Sequence, residues 1–243
     1  MDIINKKFFR GLLILIFIAV ISTACGSKKE VKLTNEQKTY VGNYFDRAFK
    51  GIEVGKERKL TEDEIKQIEK VFVEKLPSSK YYDIKNITSN FFRAGNYNNP
   101  KKMDLDAFIS YFPSKNLEEN TSEFKTTIKK LEKLDNFSEF EFSSNNMPLV
   151  KIDKNLVDAT LQKYADIESD DVINKDKCLY LKETNSYYTF VSDVSVGTFY
   201  PTEGEIKGNN LILKNANSTL ILEFKNQKFI IKSFIKNKNK IGL

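Results

Sequence analysis

Four residues stand close enough together to hold a ligand: Tyr187, Tyr188, Ser192 and Asp193, in a stretch whose alternation reads as a β-strand. Adjacent side chains on a strand point to opposite faces, so one tyrosine is expected to be exposed or to line a cleft. A phenol ring with an acid and a hydroxyl nearby suits a sugar or a peptide. The same residues also fit a plainer role, with one tyrosine in the core and Asp193 fixing the turn into Val196-Gly197-Thr198.

The absences narrow the chemistry further. The chain has no histidine and two cysteines, which excludes Ser-His-Asp and Cys-His nucleophile systems and histidine-ligated zinc, copper or haem. A Ser-Lys pair remains chemically allowed, but no motif supports one. No two of the 33 acids are singled out as a glycosidase pair. The acidic run from Asp166 to Asp171 reads as a loop followed by a capped turn. The segment ending Met103-Asp104-Leu105-Asp106-Ala107-Phe108 resembles the start of the second helix of a calcium-binding EF-hand. In that register Lys101 replaces the glycine, Pro100 a ligand and Ala107 the bidentate glutamate, so calcium is not held. No metal and no cofactor are expected.

The amino terminus sets the expected address. Lys6, Lys7 and Arg10 precede an apolar run from Leu12 to Ile21, and small residues lead to Cys25. That is the order of an export signal, and the run is too short for a comfortable bilayer span. Ile21-Ser22-Thr23-Ala24-Cys25 resembles the lipobox of bacterial lipoproteins, although Ser22 stands where leucine is favoured. The resemblance implies cleavage before Cys25 and lipidation of its thiol with diacylglycerol and further acyl chains such as palmitate. Two chains anchor stably where one does not. Residues 26 to 33 form a polar tether that spans at most roughly 26 Å at about 3.3 Å per residue, and its Lys28, Lys29 and Lys32 suit anionic headgroups. Cys178 then has no partner in its own chain and is expected to be a buried, inert thiol in a strand. The net charge of +6 is spread over many alternations without an arginine stripe, so nucleic acid is not an expected partner.

Positioning these residues falls to two kinds of element. Tyr40, Tyr44 and Ala48, with Val41, Phe45 and Phe49, give helical spacing from Asn35 to Lys50. Thr61 and Glu64 form a capping box before Ile65, Ile68, Phe72 and Leu76, and Pro77 stops that helix. Asp104 opens a short helix ended by Pro113, a third runs from Ser122 to Leu134, and Asp153 caps another through Tyr164. Phe137, Phe140 and Phe142 read as extended, and Met147 to Ile152 as a link. From Lys177 the period falls to two, with turns at residues 183–186, 208–210, 215–218 and 226–227. The expected fold is α+β: amino-terminal helices packed on a carboxy-terminal antiparallel meander of five or six strands. The expected divisions are 1–24 signal, 25–34 lipidated cysteine and tether, 35–150 mainly helical, and 151–243 helix plus sheet, the last two sharing one core.

Residues 104 to 235 resemble a family of uncharacterised lipoproteins of Gram-positive bacteria. The resemblance is carried by Tyr111-Phe112-Pro113, Leu161, Lys163-Tyr164, Tyr180-Leu181, Tyr187-Tyr188, Phe190, Ser192 and Asp193, and continues through Gly197, Phe199, Gly204, Gly208, Leu220, Leu222, Ile231 and Ser233. Relatives carry a histidine near Pro148 to Ile152, where this chain has Leu149, Val150 and Lys151. The family brings no activity with it. These readings together give a lipid-anchored protein on the outer face of the cell membrane, acting as a non-catalytic binding or envelope-interaction module toward an envelope protein or glycan. The alternative is a histidine-independent enzyme such as a carboxylate-dependent glycan hydrolase.

Overall fold

The computed structural model describes residues 32–75, 86–133, 148–175, 178–190 and 197–237. Cys25, Ser192 and Asp193 lie outside the described residues, as do the signal segment, most of the tether, Leu76, Pro77, Leu134, Phe137, Phe140, Phe142 and Met147.

The first apolar face divides into two helices, α1 (Asn35–Val41) and α2 (Tyr44–Ala48), because Gly42 interrupts it. Its φ of 55° and ψ of −170° lie in a region essentially reserved for glycine. Thr34 and Gln37 form a capping box at the start of α1. Next comes α3 (Glu62–Phe72), with the expected reciprocal cap between Thr61 and Glu64. α4 (Thr88–Arg93) follows, and the fully buried Asn86 joins the two helices. Its amide nitrogen donates to Val71 O at 2.6 Å, and its oxygen accepts from Thr88 N at 3.0 Å. α5 (Leu105–Ile109) is capped by Asp104, α6 (Ser122–Leu131) by Thr121 and α7 (Lys154–Ala165) by Asp153.

The strands make two sheets, which corrects the expected single carboxy-terminal meander. The first has five strands in the order β1 (Arg58–Lys59), β6 (Glu203–Lys207), β7 (Asn210–Lys214), β8 (Ser218–Lys225), β9 (Lys228–Lys236), all antiparallel. The second has four, β2 (Lys115–Asn116), β3 (Leu149–Asp153), β5 (Ser186–Phe190) and β4 (Leu179–Leu181), also antiparallel. The class remains α+β, but the hairpin β4–β5 leaves the meander to pair with β3. The stretch read as a link is thus a central strand. Leu149 and Val150 are both buried because β3 is covered on both faces, and a two-sided strand does not show polar alternation.

Two apolar clusters result. Val150, Ile152 and Tyr187 face the main core with the inner side chains of the five-stranded sheet, among them Leu211, Leu213, Leu220, Leu222 and Phe234. Leu149, Leu181 and Tyr188 face a smaller cluster closed by Leu131, with Phe124 and Ile128 of α6 against it. Rings fill the centre of the main core, with Phe45 edge-on to Tyr164 at 4.8 Å and Phe91 at 4.7 Å from Phe108. Residues Leu33–Leu243 form one compact unit, and every residue of both clusters belongs to it. Among the described residues no helix is long and apolar enough to cross a membrane.

One ion pair fixes the start of α3. Arg58 grips Glu64 with two nitrogens at 2.8 and 2.6 Å, while Glu64 also accepts from Thr61 N at 2.8 Å. The Arg58 guanidinium, helped by that amide, holds the Glu64 carboxyl down at about 2. A lowered folded pKa gives stability that is complete above the ordinary value of 4.5 and fades as the pH falls through about 2. Glu64→Gln is therefore expected to lower stability by about 1 kcal/mol at neutral pH and by progressively less toward pH 2. Urea midpoints at the two pH values check this.

Candidate functional site

Strand β5 carries three consecutive side chains into three different polar clusters. Tyr187 points toward α7 and is 2% exposed; its ring packs 5.3 Å from that of Tyr180 on the edge strand β4. Burial pushes the Tyr187 phenol up to about 12, against the opposing effect of a hydrogen bond with Ser169. Below it Lys154 Nζ lies 2.6 Å from Asp158 Oδ2, one helical turn along α7, and 3.2 Å from Asp170 Oδ2. Burial alone would lower the Lys154 pKa, but the two carboxylates outweigh it and hold the ammonium charged. The other Asp158 oxygen accepts from Ser169 N at 2.9 Å and from Ser169 Oγ. The acidic run is thus the loop and capped turn expected of it, with a short 3-10 turn at Ser169–Asp171 held by the reciprocal contact of Glu168 and Asp171.

Tyr188 points the other way, toward α6, and is fully buried. Its hydroxyl donates to Glu123 Oε1 at 2.6 Å and lies 2.8 Å from Thr184 Oγ1. Glu123 also takes Lys151 Nζ at 2.8 Å, and these two bonds keep its carboxyl below the usual range. Burial and the adjacent carboxylate raise the Tyr188 phenol. Thr189 returns to the first face, where its hydroxyl donates to Asp106 Oδ1 at 2.8 Å. The buried Cys178 Sγ lies 3.7 Å from the same oxygen.

The two tyrosines therefore oppose each other as strand geometry requires, but both are buried where one was expected in the open. The structure does not bring them to a shared cleft, and Ser192 and Asp193 lie outside the described residues. Around β5, Asp158 and Asp170 are taken up by Lys154, and Glu123 by Lys151 and Tyr188. Among the described residues no group of three acids, cysteines or histidines is placed to hold a metal.

Surface depressions lie elsewhere among the described residues, two of them beside charged side chains. The smaller, about 390 Å³, runs along the edge of β6 between Lys59, Leu60 and Ile65 on one side and Glu203, Glu205 and Lys214 on the other. Glu205 is bound to Lys207 and Lys214, both at 3.1 Å, which hold its carboxyl below the usual range. Glu203 and Glu205 rise from one strand, so they share a wall and do not flank a bond from opposite sides.

The larger depression, about 520 Å³, lies at the break between α1 and α2 and is lined by Leu33, Lys38, Thr39, Val41, Gly42, Asn43 and Lys163. Helix α7 pins this break with consecutive residues. Tyr164 donates its hydroxyl to Val41 O at 2.7 Å and accepts from Tyr44 N at 3.2 Å, and Lys163 Nζ donates to Gly42 O and Asn43 Oδ1. An ammonium has three N–H donors, so one remains for the depression. Among the described residues no carboxylate pairs with Lys163. Burial lowers its pKa, with Lys228 acting in the same direction and Asp46 more weakly opposed to burial. Among the described residues no carboxylate lines the depression.

Sequence reasoning passed over this place, although two signals marked it. Gly42-Asn43 interrupts an apolar helical repeat, which is a stop signal, and Lys163-Tyr164 stood out as a pair. What joins them is the packing of α7 across α1, a contact between residues some 120 positions apart. Comparison with protein-family models, with curated proteins and with solved structures gives no match in any of the three.

Proposed function

We propose that the chain is a lipid-anchored protein of the outer face of a bacterial cell membrane whose folded part binds and does not cleave. The sequence around Cys25 supports the anchor. The observation that carries the binding role is the half-buried ammonium of Lys163, which among the described residues has no carboxylate partner and lines the larger depression. Placing a charge out of bulk water without a counter-ion is costly, and such a group commonly marks a ligand site. The carboxylates near β5 are engaged by cations and hydroxyls of the fold itself. They support the fold rather than wait for a substrate.

In cells fed an alkyne-bearing palmitate analogue, the wild-type chain is expected to take up label and sediment with membranes, and Cys25→Ala to do neither. Equal labelling of both would contradict the anchor. The hydrolase reading would have to use the two glutamates of the smaller depression, which share one wall. On that reading the wild-type chain releases reducing ends from cell-wall glycan and Glu203→Gln does not. The binding reading expects no release above background from either.

A further inference from the structure

We infer that the depression at the α1–α2 break takes the phosphate of an anionic phospholipid headgroup, held by Lys163 and Lys38, in the bilayer that carries the anchor. This rests on the proposed anchor for its choice of ligand source. Leu33 lines the depression and is the last residue of the tether, so no more than roughly 26 Å of extended chain separates the site from Cys25. A site so close to the bilayer meets headgroups before any soluble anion.

The charge on the page has the right sign. Among the described residues Lys38 is exposed on α1, Lys163 offers its third N–H, and the lining holds no acid. The acid whose charge acts on Lys163 is Asp46, which is not among the lining residues. Thr39 adds a hydroxyl to the rim, while Val41 and Leu33 offer an apolar wall beside the cations. A headgroup with its glycerol meets that combination of phosphate-binding cations and apolar surface. The two bonds from Lys163 to Gly42 and Asn43 hold the ammonium in place before a ligand arrives, which limits the entropy lost on binding.

The test uses the unlipidated chain from Gly26 to Leu243, which contains the whole compact unit. Its sedimentation with phosphatidylcholine vesicles is compared with and without phosphatidylglycerol. Binding is expected only with the anionic lipid, and Lys163→Gln and Lys38→Gln are each expected to weaken it about five-fold. Lys66→Gln, which removes an exposed charge from α3, should leave binding unchanged, and Lys163→Arg should retain most of it. Among the described residues the Lys38 side chain makes no hydrogen bond or ion pair, so its variant remains informative should Lys163→Gln disturb the break.

An equal loss in all three glutamine variants would show diffuse surface charge and overturn the site. So would an absence of binding to the anionic vesicles. Chemical-shift changes of the Gly42 and Asn43 amides with inorganic phosphate alone, without vesicle binding, would assign the site to a soluble anion and overturn the lipid source. Because the vesicle assay does not use Cys25, its failure alongside successful palmitate labelling removes only this site. The reverse pair of results removes only the anchor.

Discussion

Asp158→Ala is expected to lower stability by about 4 kcal/mol, the largest effect of any single substitution considered for this chain. Two losses coincide. Lys154 Nζ, in a side chain only 10% exposed, loses its partner at 2.6 Å and keeps only Asp170 at 3.2 Å, whose own side chain is 68% exposed. Breaking a buried pair by removing one member costs about 3 to 5 kcal/mol. The fully buried Ser169 also loses the acceptor of its N–H and its hydroxyl, and a buried donor without a partner costs about 1 to 3 kcal/mol. The losses overlap in one network, so they do not add in full. Asp158→Asn keeps an oxygen for Ser169 while removing the charge, and about half the loss is expected from it. Urea denaturation of the three proteins measures the order. Equal stability for the alanine variant and the wild type would mean that the network does not hold α7 to the turn at Ser169–Asp171.

Gly42→Ala is expected to cost about 3 kcal/mol, while Gly208→Ala, with nearly the same φ, costs about 1. Both positions have positive φ, 55° and 57°, which an L side chain adopts at a cost of roughly 1 to 2 kcal/mol. They differ in surroundings. A Cβ on Gly208 meets nothing within 4 Å, whereas one on Gly42 would lie 2.6 Å from Tyr44 Cε2 and 3.0 Å from its Cζ. The Tyr44 ring is buried, with the Arg47 guanidinium 5.2 Å from its centroid, so it has little room to withdraw. Its displacement would also strain the bond from Tyr44 N to the Tyr164 hydroxyl. Denaturation midpoints of the two variants give the contrast, and equal midpoints would show that the break at Gly42 relaxes freely.

These two positions also show what the sequence could and could not convey. Local signals were legible: the caps at Thr61, Asp104 and Asp153, the apolar faces of the helices, and the strands from Leu179 onward. Each depends on neighbours within a few residues. The division into two sheets was not legible, because it depends on β5 pairing with β3 and on β6 pairing with β1 and β7. β3 lacks alternation since it is buried on both sides, and β1 is two charged residues, Arg58 and Lys59, whose strand character comes only from β6.

At the candidate site the tyrosines were found for a sound reason and placed wrongly in one respect. Their alternation is real, but α6 and α7 cover both faces of the strand that carries them. Nothing local to Tyr187-Tyr188 records the presence of those helices. The depression at Lys163 was missed for the complementary reason. Its parts, Gly42-Asn43 and Lys163-Tyr164, are each ordinary, and only the crossing of α7 over the α1–α2 break makes them a site.

The most direct test of the account is the mass of the amino-terminal peptide released by trypsin from the chain extracted from membranes. The account predicts a peptide that begins at Cys25 and carries a diacylglyceryl group on its thiol. A peptide that begins at any other residue, or one that begins at Cys25 with a free thiol, would contradict it.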